Sequence, residues 1–200
     1  MNKTILSRFL LVTGILLGLR ISATAQMVGL PVLDTANTRD QGSLEATPGI
    51  VIGQDMNFYG VRGTITVLDE LRGFLDLGQL DIDGYGDSLA MQAGALLNLP
   101  VCEVVDTAVR GTFYYSNTDR QDIMGCNLMF LCSDESLLDN LYLYGGAGLD
   151  LSKKETYSSK SEVNPAIAMG LSYKVCENIH LFLEGDYVDG FYGSFGVSIR

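Results

Sequence analysis

The amino-acid sequence predicts an all-β protein, an antiparallel up-and-down β-barrel of about ten strands that crosses a membrane. The residues from Asn164 to Arg200 alternate between apolar and small or polar side chains, which is the period of a strand with two different faces. Hydrophobic residues make up 47% of the chain and charged residues only 18%, which excludes a disordered protein. Beyond the N-terminus no run of about 18 apolar residues could span a bilayer as a helix. Any membrane span must therefore consist of strands.

The first 25 residues have the pattern of a cleaved signal peptide. Lys3 and Arg8 form its positive region, an apolar stretch runs from Phe9 to Leu19, and Ala23-Thr24-Ala25 offers a small-residue cleavage site. This apolar stretch is shorter than the roughly 20 residues that a membrane helix needs. We therefore predict a signal peptide over residues 1–25, removed before Gln26.

Residues 26–43 show no periodicity, and we expect a flexible lead-in on the periplasmic side. Residues 44–200 form the predicted barrel domain. Its first strand is expected from about Leu44 to Gln54 and its second from Phe58 to Val67. A third strand from Leu71 to Ile82 competes with a short helix beginning at Asp69, and the glycine-rich stretch from Asp83 to Asp87 predicts a turn.

The remaining strands follow from a more regular alternation. The longest loop is expected at Ser152 to Val163, and turns at Pro100 to Asp106, Leu131 to Asn140 and Val175 to Asn178 are expected at the same end as both barrel termini. A barrel whose termini share one end needs an even number of strands, so eight is the alternative if the first hairpin lies outside the wall. The strands expected here cover about 88–99, 108–116, 121–131, 141–150, 165–175, 179–187 and 191–200.

The polar phase of the alternation decides which face of the barrel is outside. A soluble, lipocalin-like barrel would carry many Lys, Glu and Thr on its water-facing side, whereas here the polar phase is mostly Ala, Gly, Ser and Tyr. Such residues suit the interior of a narrow barrel. Charged residues on this phase are expected to pair across the interior, because an unpaired buried charge is costly. The predicted interior polar network comprises Arg62, Arg110, Asp150, Lys174, His180, Glu184 and Asp186.

Aromatic residues on the apolar phase lie near strand ends, where an aromatic girdle meets the two membrane interfaces. The alternative is ordinary β-propensity of aromatic residues. The predicted girdle comprises Tyr59, Tyr115, Tyr173, Tyr187 and Phe191.

The signal sequence, the alternation from about residue 44 onward and the glycine-rich closing strand resemble the small outer-membrane β-barrel proteins of Gram-negative bacteria. This resemblance implies a location in the outer membrane, contact with its lipids and lipopolysaccharide, insertion by the outer-membrane assembly machinery, and a monomer. One departure is the C-terminus, Ile199-Arg200, where such proteins usually end in an aromatic residue that this machinery recognises.

The chemistry-bearing residues favour a protein without catalytic activity. His180, the single histidine, shares a strand face with Glu184, but residues four apart on a strand are about 13 Å apart. No phosphate loop, nucleotide fingerprint or CxxC pair occurs, so no cofactor or metal is predicted. The net charge of −11 disfavours nucleic acid as a partner.

Four cysteines in an exported chain favour oxidation. Cys126 and Cys132 share one predicted strand and lie too far apart to pair. We expect at most one disulfide among Cys102, Cys132 and Cys176.

Two functions remain open from the sequence. The bulky inward residues Tyr114, Tyr142, Tyr144, Phe182 and Tyr192 favour a filled barrel with a structural or surface-interaction role. The inward glycines favour a narrow porin-like channel for ions or small solutes. A lipid-modifying outer-membrane enzyme is the third and weakest possibility.

Overall fold

A computed structural model describes residues 28–32, 34–36, 41–101, 105–118, 121–138, 140–155, 159–188 and 190–200. Its ten strands form one closed barrel in which every neighbouring pair is antiparallel, and β1 pairs with β10. The prediction of ten strands is confirmed, and eight is wrong because the first hairpin belongs to the wall. The strands are β1 (Leu44–Gly53), β2 (Met56–Leu68), β3 (Leu71–Ile82), β4 (Gly86–Leu99), β5 (Asp106–Asn117), β6 (Asp122–Leu138), β7 (Leu141–Glu155), β8 (Ser159–Cys176), β9 (Ile179–Tyr187) and β10 (Phe191–Ile199).

The third element is a strand over the whole of Leu71–Ile82, not a helix that begins at Asp69. It pairs with β2 on one side and with β4 on the other. Among the residues that the structure describes, no helix is long and apolar enough to cross a membrane.

Two predicted loops are wrong. The stretch predicted as a turn from Leu131 onward continues β6 to Leu138, and most of the loop predicted at Ser152 to Val163 is the paired end of β7 and β8. In that hairpin Lys154 lies opposite Lys160, and the ion pairs Lys153–Glu155 and Lys160–Glu162 lie along its strands. The polar composition predicts a loop, but backbone pairing continues here through polar residues.

The apolar side chains face outward. Phe113 and Leu128 are 58% and 60% exposed, whereas Arg72 and Asp76 on the opposite face are fully buried. This arrangement is the inverse of a water-soluble barrel, whose apolar side chains line the interior. The exterior is therefore suited to lipid, and the polar groups are enclosed within the lumen.

The lumen is occupied by the chain itself. Residues 28–32 and 34–36, which we call the lumen segment, lie inside the wall with Val28, Leu30, Val32 and Ala36 at most 1% exposed. The expectation of a flexible lead-in is therefore corrected for these residues. Polar side chains of the wall bind the backbone of the lumen segment, and its apolar side chains pack against inward residues of the wall.

Candidate functional site: the occupied lumen

Arg62 lies at the centre of the contacts inside the lumen. It faces inward from β2 directly opposite Asp76 of β3, because the two residues are paired in the sheet. Its Nε donates to Asp76 Oδ1 over 2.7 Å and its Nη2 donates to Asp76 Oδ2 over 2.8 Å. Both residues are at most 3% exposed. A two-point guanidinium–carboxylate contact of this kind fixes the orientation of the arginine as well as its charge.

The remaining donors of Arg62 bind the lumen segment. Nη1 donates to the carbonyl oxygen of Val32 over 2.5 Å, and Nη2 donates to the carbonyl oxygens of Leu30 and Pro31 over 2.6 and 2.7 Å. One guanidinium therefore contacts three consecutive carbonyls of the lumen segment. Asp76 balances its charge while the carbonyls satisfy its hydrogen bonds, which together lower the cost of burying it.

Carboxylate oxygens of the wall accept hydrogen bonds from backbone amides of the lumen segment. The N–H of Leu30 donates to Asp76 Oδ2 over 3.0 Å, and the N–H of Val32 donates to Glu184 Oε1 over 2.8 Å. Gln92 Nε2 donates both to the carbonyl oxygen of Leu30 and to Asp76 Oδ2, each over 2.8 Å. The wall thus supplies donors to three carbonyls and acceptors to two amides of the lumen segment.

The end of the lumen segment nearest β1 has its own contacts. Arg72 donates to Asp34 over 2.8 and 3.0 Å and to the carbonyl oxygen of Thr35 over 2.7 Å. The N–H of Ala36 donates to Ser133 Oγ over 3.0 Å, and Asn98 donates to the carbonyl oxygen of Ala36. These contacts hold the lumen segment from three strands at once.

Gly29 is the position at which the lumen segment fits most tightly. Its φ of +92° lies in the left-handed region that side chains rarely adopt. A Cβ built on Gly29 would lie 2.8 Å from Cβ of Gln92, closer than side chains approach in real structures. Only glycine fits this position without displacing the segment or the wall.

A cation–π arrangement joins Arg62 to Arg110. The ring of Phe74 lies 4.6 Å from the guanidinium carbon of Arg62 and 4.8 Å from that of Arg110. Arg110 also donates to the carbonyl oxygen of Pro31 over 3.2 Å. Two of the seven predicted network residues therefore meet at one aromatic ring and at the lumen segment.

Of the other predicted network residues, Glu184 also binds the lumen segment. Asp150 accepts two hydrogen bonds from Tyr114 Oη, at 2.9 and 3.1 Å, on the opposite side of the lumen from Arg62. Asp186 lies within reach of Ser194 Oγ, 3.5 Å away. Lys174 is half-buried and lies opposite His180 in the sheet, near the end of β8. Arg62, Arg110, Glu184 and Asp186 therefore lie together as one charged group in the lumen, while Asp150 contacts Tyr114 and Lys174 lies opposite His180.

His180 packs among aromatic side chains. Its Nδ1 lies 3.5 Å from Ser172 Oγ, and its ring centroid lies 6.2 and 6.5 Å from those of Tyr142 and Phe182. Ser198 lies opposite it in β10 and donates to Glu45. His180 is only 7% exposed and faces the lumen, away from the lipid-facing surface.

The predicted girdle residues face outward, though to different extents. Tyr59, Tyr173 and Phe191 are exposed, whereas Tyr115 and Tyr187 are half-buried. The rings of Tyr187 and Phe191 pack with centroids 5.1 Å apart where β9 turns into β10. The girdle assignment itself stays a prediction.

The predicted disulfide involves residues that the structure covers only in part. Cys102 lies outside the described residues, and Cys126 and Cys176 carry free thiols on the outer surface. Cys132 lies on β6 opposite Gly145. The pairing therefore stays a prediction, with Cys176 outside it.

Little free space remains around the lumen segment. A cavity of about 30 Å³ lies between Val28, Gln92, Tyr114 and Asp150. That volume holds on the order of two water molecules. Within the described ranges, no group of three or more His, Cys, Asp or Glu could hold a metal ion.

Several residues of this site were not predicted from the sequence. The lumen segment itself carried a weak signal, because Val28, Leu30 and Val32 are apolar at every second position, as in a short strand. The face of β3 opposite its apolar residues would have identified Arg72 and Asp76 as inward residues. The missed wall residues are Arg72, Asp76, Gln92, Asn98 and Ser133.

Comparison with known proteins places the chain by fold alone. No family model and no curated protein matches it. Among solved structures, "KdgM porin" has 10% sequence identity and a TM-score of 0.45, covering 78% of this chain and 98% of that chain. The N-terminal β-barrel domain of OprF from Pseudomonas aeruginosa has 15% identity and a TM-score of 0.37, covering 80% and 97%. "KdgM porin in complex with disordered oligogalacturonate" has 11% identity and a TM-score of 0.42, covering 78% and 98%.

The structure itself confirms the predicted fold, because its ten antiparallel strands close into one barrel whose exposed face carries apolar side chains. At these identities the likeness says nothing about what passes through or binds to the barrel.

Proposed function

We propose that this protein is a non-catalytic outer-membrane barrel whose interior is closed by its own N-terminal segment, and that it serves a structural or surface-interaction role. The observation that carries this proposal is the filled lumen, in which Arg62, Asp76 and Glu184 hold the backbone of the lumen segment. A solute that passed along the lumen would have to displace these contacts, because the buried lumen segment lies between them.

The apolar exterior of the barrel supports a location in the outer membrane. Outward side chains over the middle of the barrel are apolar, as a hydrocarbon environment requires. Cleavage after Ala25, insertion by the assembly machinery of a Gram-negative outer membrane, contact with lipids and lipopolysaccharide, and a monomeric state complete the proposal. A closed wall leaves no free strand edge for another copy to pair with, which favours the monomer.

The position of His180 favours a role other than catalysis. Its contacts with Tyr142, Ser172 and Phe182 lie inside the lumen, and the histidine is only 7% exposed. This arrangement supports a packing role for the histidine.

A narrow channel is the second candidate, and one observation favours it. The wall closes through strand pairing alone, so a barrel without its lumen segment would keep an interior lined by Arg62, Arg110, Asp76, Glu184 and Asp186. Such a charged interior would be wet and could conduct ions.

Single-channel recording in planar bilayers separates the two candidates. We expect the mature chain to insert without stable conductance steps, because its lumen is occupied. The Gly29→Val variant is expected to show steps, since its side chain would collide with Gln92 and loosen the segment. Stable steps from the unmodified chain would contradict the closed barrel and make the channel the better proposal.

A further inference from the structure

We propose that the lumen is a binding site for a peptide segment, which the lumen segment occupies in cis and which a second peptide of the same chemistry can occupy in its place. This inference rests on the closed barrel proposed above and adds a ligand class to it. The ligand is a peptide with apolar residues at alternate positions, a glycine between the first two and an acidic residue two positions after the third.

The lumen segment is bound as a ligand rather than as part of the sheet. Among the described residues, no backbone-to-backbone hydrogen bond joins residues 28–36 to a strand. The ten strands of the wall pair only with one another, so the closed sheet forms without the lumen segment. Side chains of the wall supply the contacts, so replacing one strand with another would break no strand pairing.

Many of these contacts are with backbone atoms, which every peptide has. Arg62 donates to the carbonyls of Leu30, Pro31 and Val32, while Asp76 and Glu184 accept the amides of residues 30 and 32. Recognition through the backbone gives affinity without specifying side chains, as in peptide sites that extend a sheet edge.

Specificity comes from three features of the bound strand. Gly29 approaches Gln92 so closely that any side chain would overlap it. Val28, Leu30 and Val32 fill buried positions, and Asp34 pairs with Arg72. A competing strand must therefore carry glycine at the second position and a carboxylate at the seventh.

The strand runs along the barrel between its two ends. Ala36 lies beside Asn98 and Ser133, toward the end where β1 begins and β10 finishes. Val28 lies by the cavity that Val188 also lines, at the opposite end of β9. The connection to β1 passes Gln41 and Gly42, which are exposed.

The test uses the full mature chain with a protease recognition sequence inserted between Gln41 and Gly42. The protein is folded in detergent and then cut, so that residues 26–41 are held only by noncovalent contacts. A fluorescent synthetic peptide of residues 26–41 is added, and its uptake is followed by polarisation and by comigration with the barrel in size-exclusion chromatography. We expect the cut barrel to take up the peptide and the uncut barrel to exclude it.

A Gly29→Val peptide serves as the matched control and is expected to bind at least about tenfold more weakly. Equal uptake of the two peptides would overturn the site. The cut segment of the unmodified chain could leave the lumen too slowly for the added peptide to enter. A second barrel is therefore cut from a full chain that carries Gly29→Val, and the unmodified peptide is added to it. No uptake by that cut barrel, while it still runs as a folded species before boiling, would overturn the proposal. In either case, absence of conductance from the unmodified chain would leave the closed barrel standing.

Discussion

At the scale of single residues, the interior fits together because glycines lie where large side chains or a neighbouring backbone need the space. Gly170 lies beneath the ring of Tyr144, and Gly94 lies against Phe74. In a narrow barrel the inward side chains converge, so each bulky residue requires a small neighbour. Gly148 is the tightest case, because a Cβ there would overlap the carbonyl oxygen of Leu128 and lie 2.7 Å from Cα of Met129.

We therefore expect Gly148→Ala to destabilise the barrel by about 1–3 kcal/mol, since backbone atoms of the adjoining strand cannot move aside without disturbing its pairing. Gly193→Ala is the matched control, because a Cβ at Gly193 would meet nothing within 4 Å. Urea unfolding of both variants, folded into lipid vesicles, measures the difference. An equal loss of unfolding free energy in the two variants would contradict this account of the packing.

The same scale shows what sequence reasoning can and cannot reach at the site. Alternation alone was enough to place Arg62 and Arg110 on the inward face. It could not identify Asp76 as the partner of Arg62, because a period of two fixes the face of a residue but not the register between strands. That register follows from the two-residue turn after Leu68 and from an irregularity between Thr66 and Leu68 in the pairing of β2 with β3.

At the scale of elements, the wall consists of strands that are apolar over their middle and polar beyond it. β7 and β8 run on past the apolar band into a hairpin that carries Lys153, Lys154 and Lys160. Apolar alternation predicted where the membrane-facing part of each strand lies. It could not predict where pairing ends, because backbone hydrogen bonds continue through polar residues once two strands are aligned.

Depth within the apolar band gives a prediction. Leu128 lies in the middle of β6 and Leu89 lies three residues from the start of β4, and both are exposed, by 60% and 67%. We expect Leu128→Arg to lower the free energy of unfolding in lipid by about 2–4 kcal/mol and Leu89→Arg by about 0–1 kcal/mol, because burying a charge costs most at the bilayer midplane.

Equilibrium unfolding of the two leucine variants in lipid vesicles tests this expectation. The pair is matched in residue type and exposure, so the difference between them reports depth alone. Equal costs, or a larger cost at Leu89, would contradict the placement of Leu128 nearer than Leu89 to the middle of the apolar band.

At the scale of the whole molecule, the lead-in shows the limit of local pattern. Leu30 is bound by Asp76, 46 residues along the chain, and Val32 is bound by Glu184, 152 residues along. The hydrogen bonds of the lumen segment are therefore supplied by residues that only the closed barrel brings together. A periodicity within residues 26–43 could show that a short strand was possible, but not that the strand had an enclosed place to bind.

Closure of the wall leads to the last prediction. Because β1 pairs with β10, the barrel has no free edge, and barrels closed in this way resist unfolding by detergent until heated. We expect the mature chain folded in detergent to migrate differently in electrophoresis before and after boiling. The Gly29→Val variant should keep this mobility shift, since the lumen segment takes no part in strand pairing. A shift lost in that variant alone would make the segment part of the closure mechanism. Absence of a shift in the unmodified chain, together with solubility in plain buffer, would indicate that the apolar face lies inside the barrel. That result would favour a lipocalin-like binding protein.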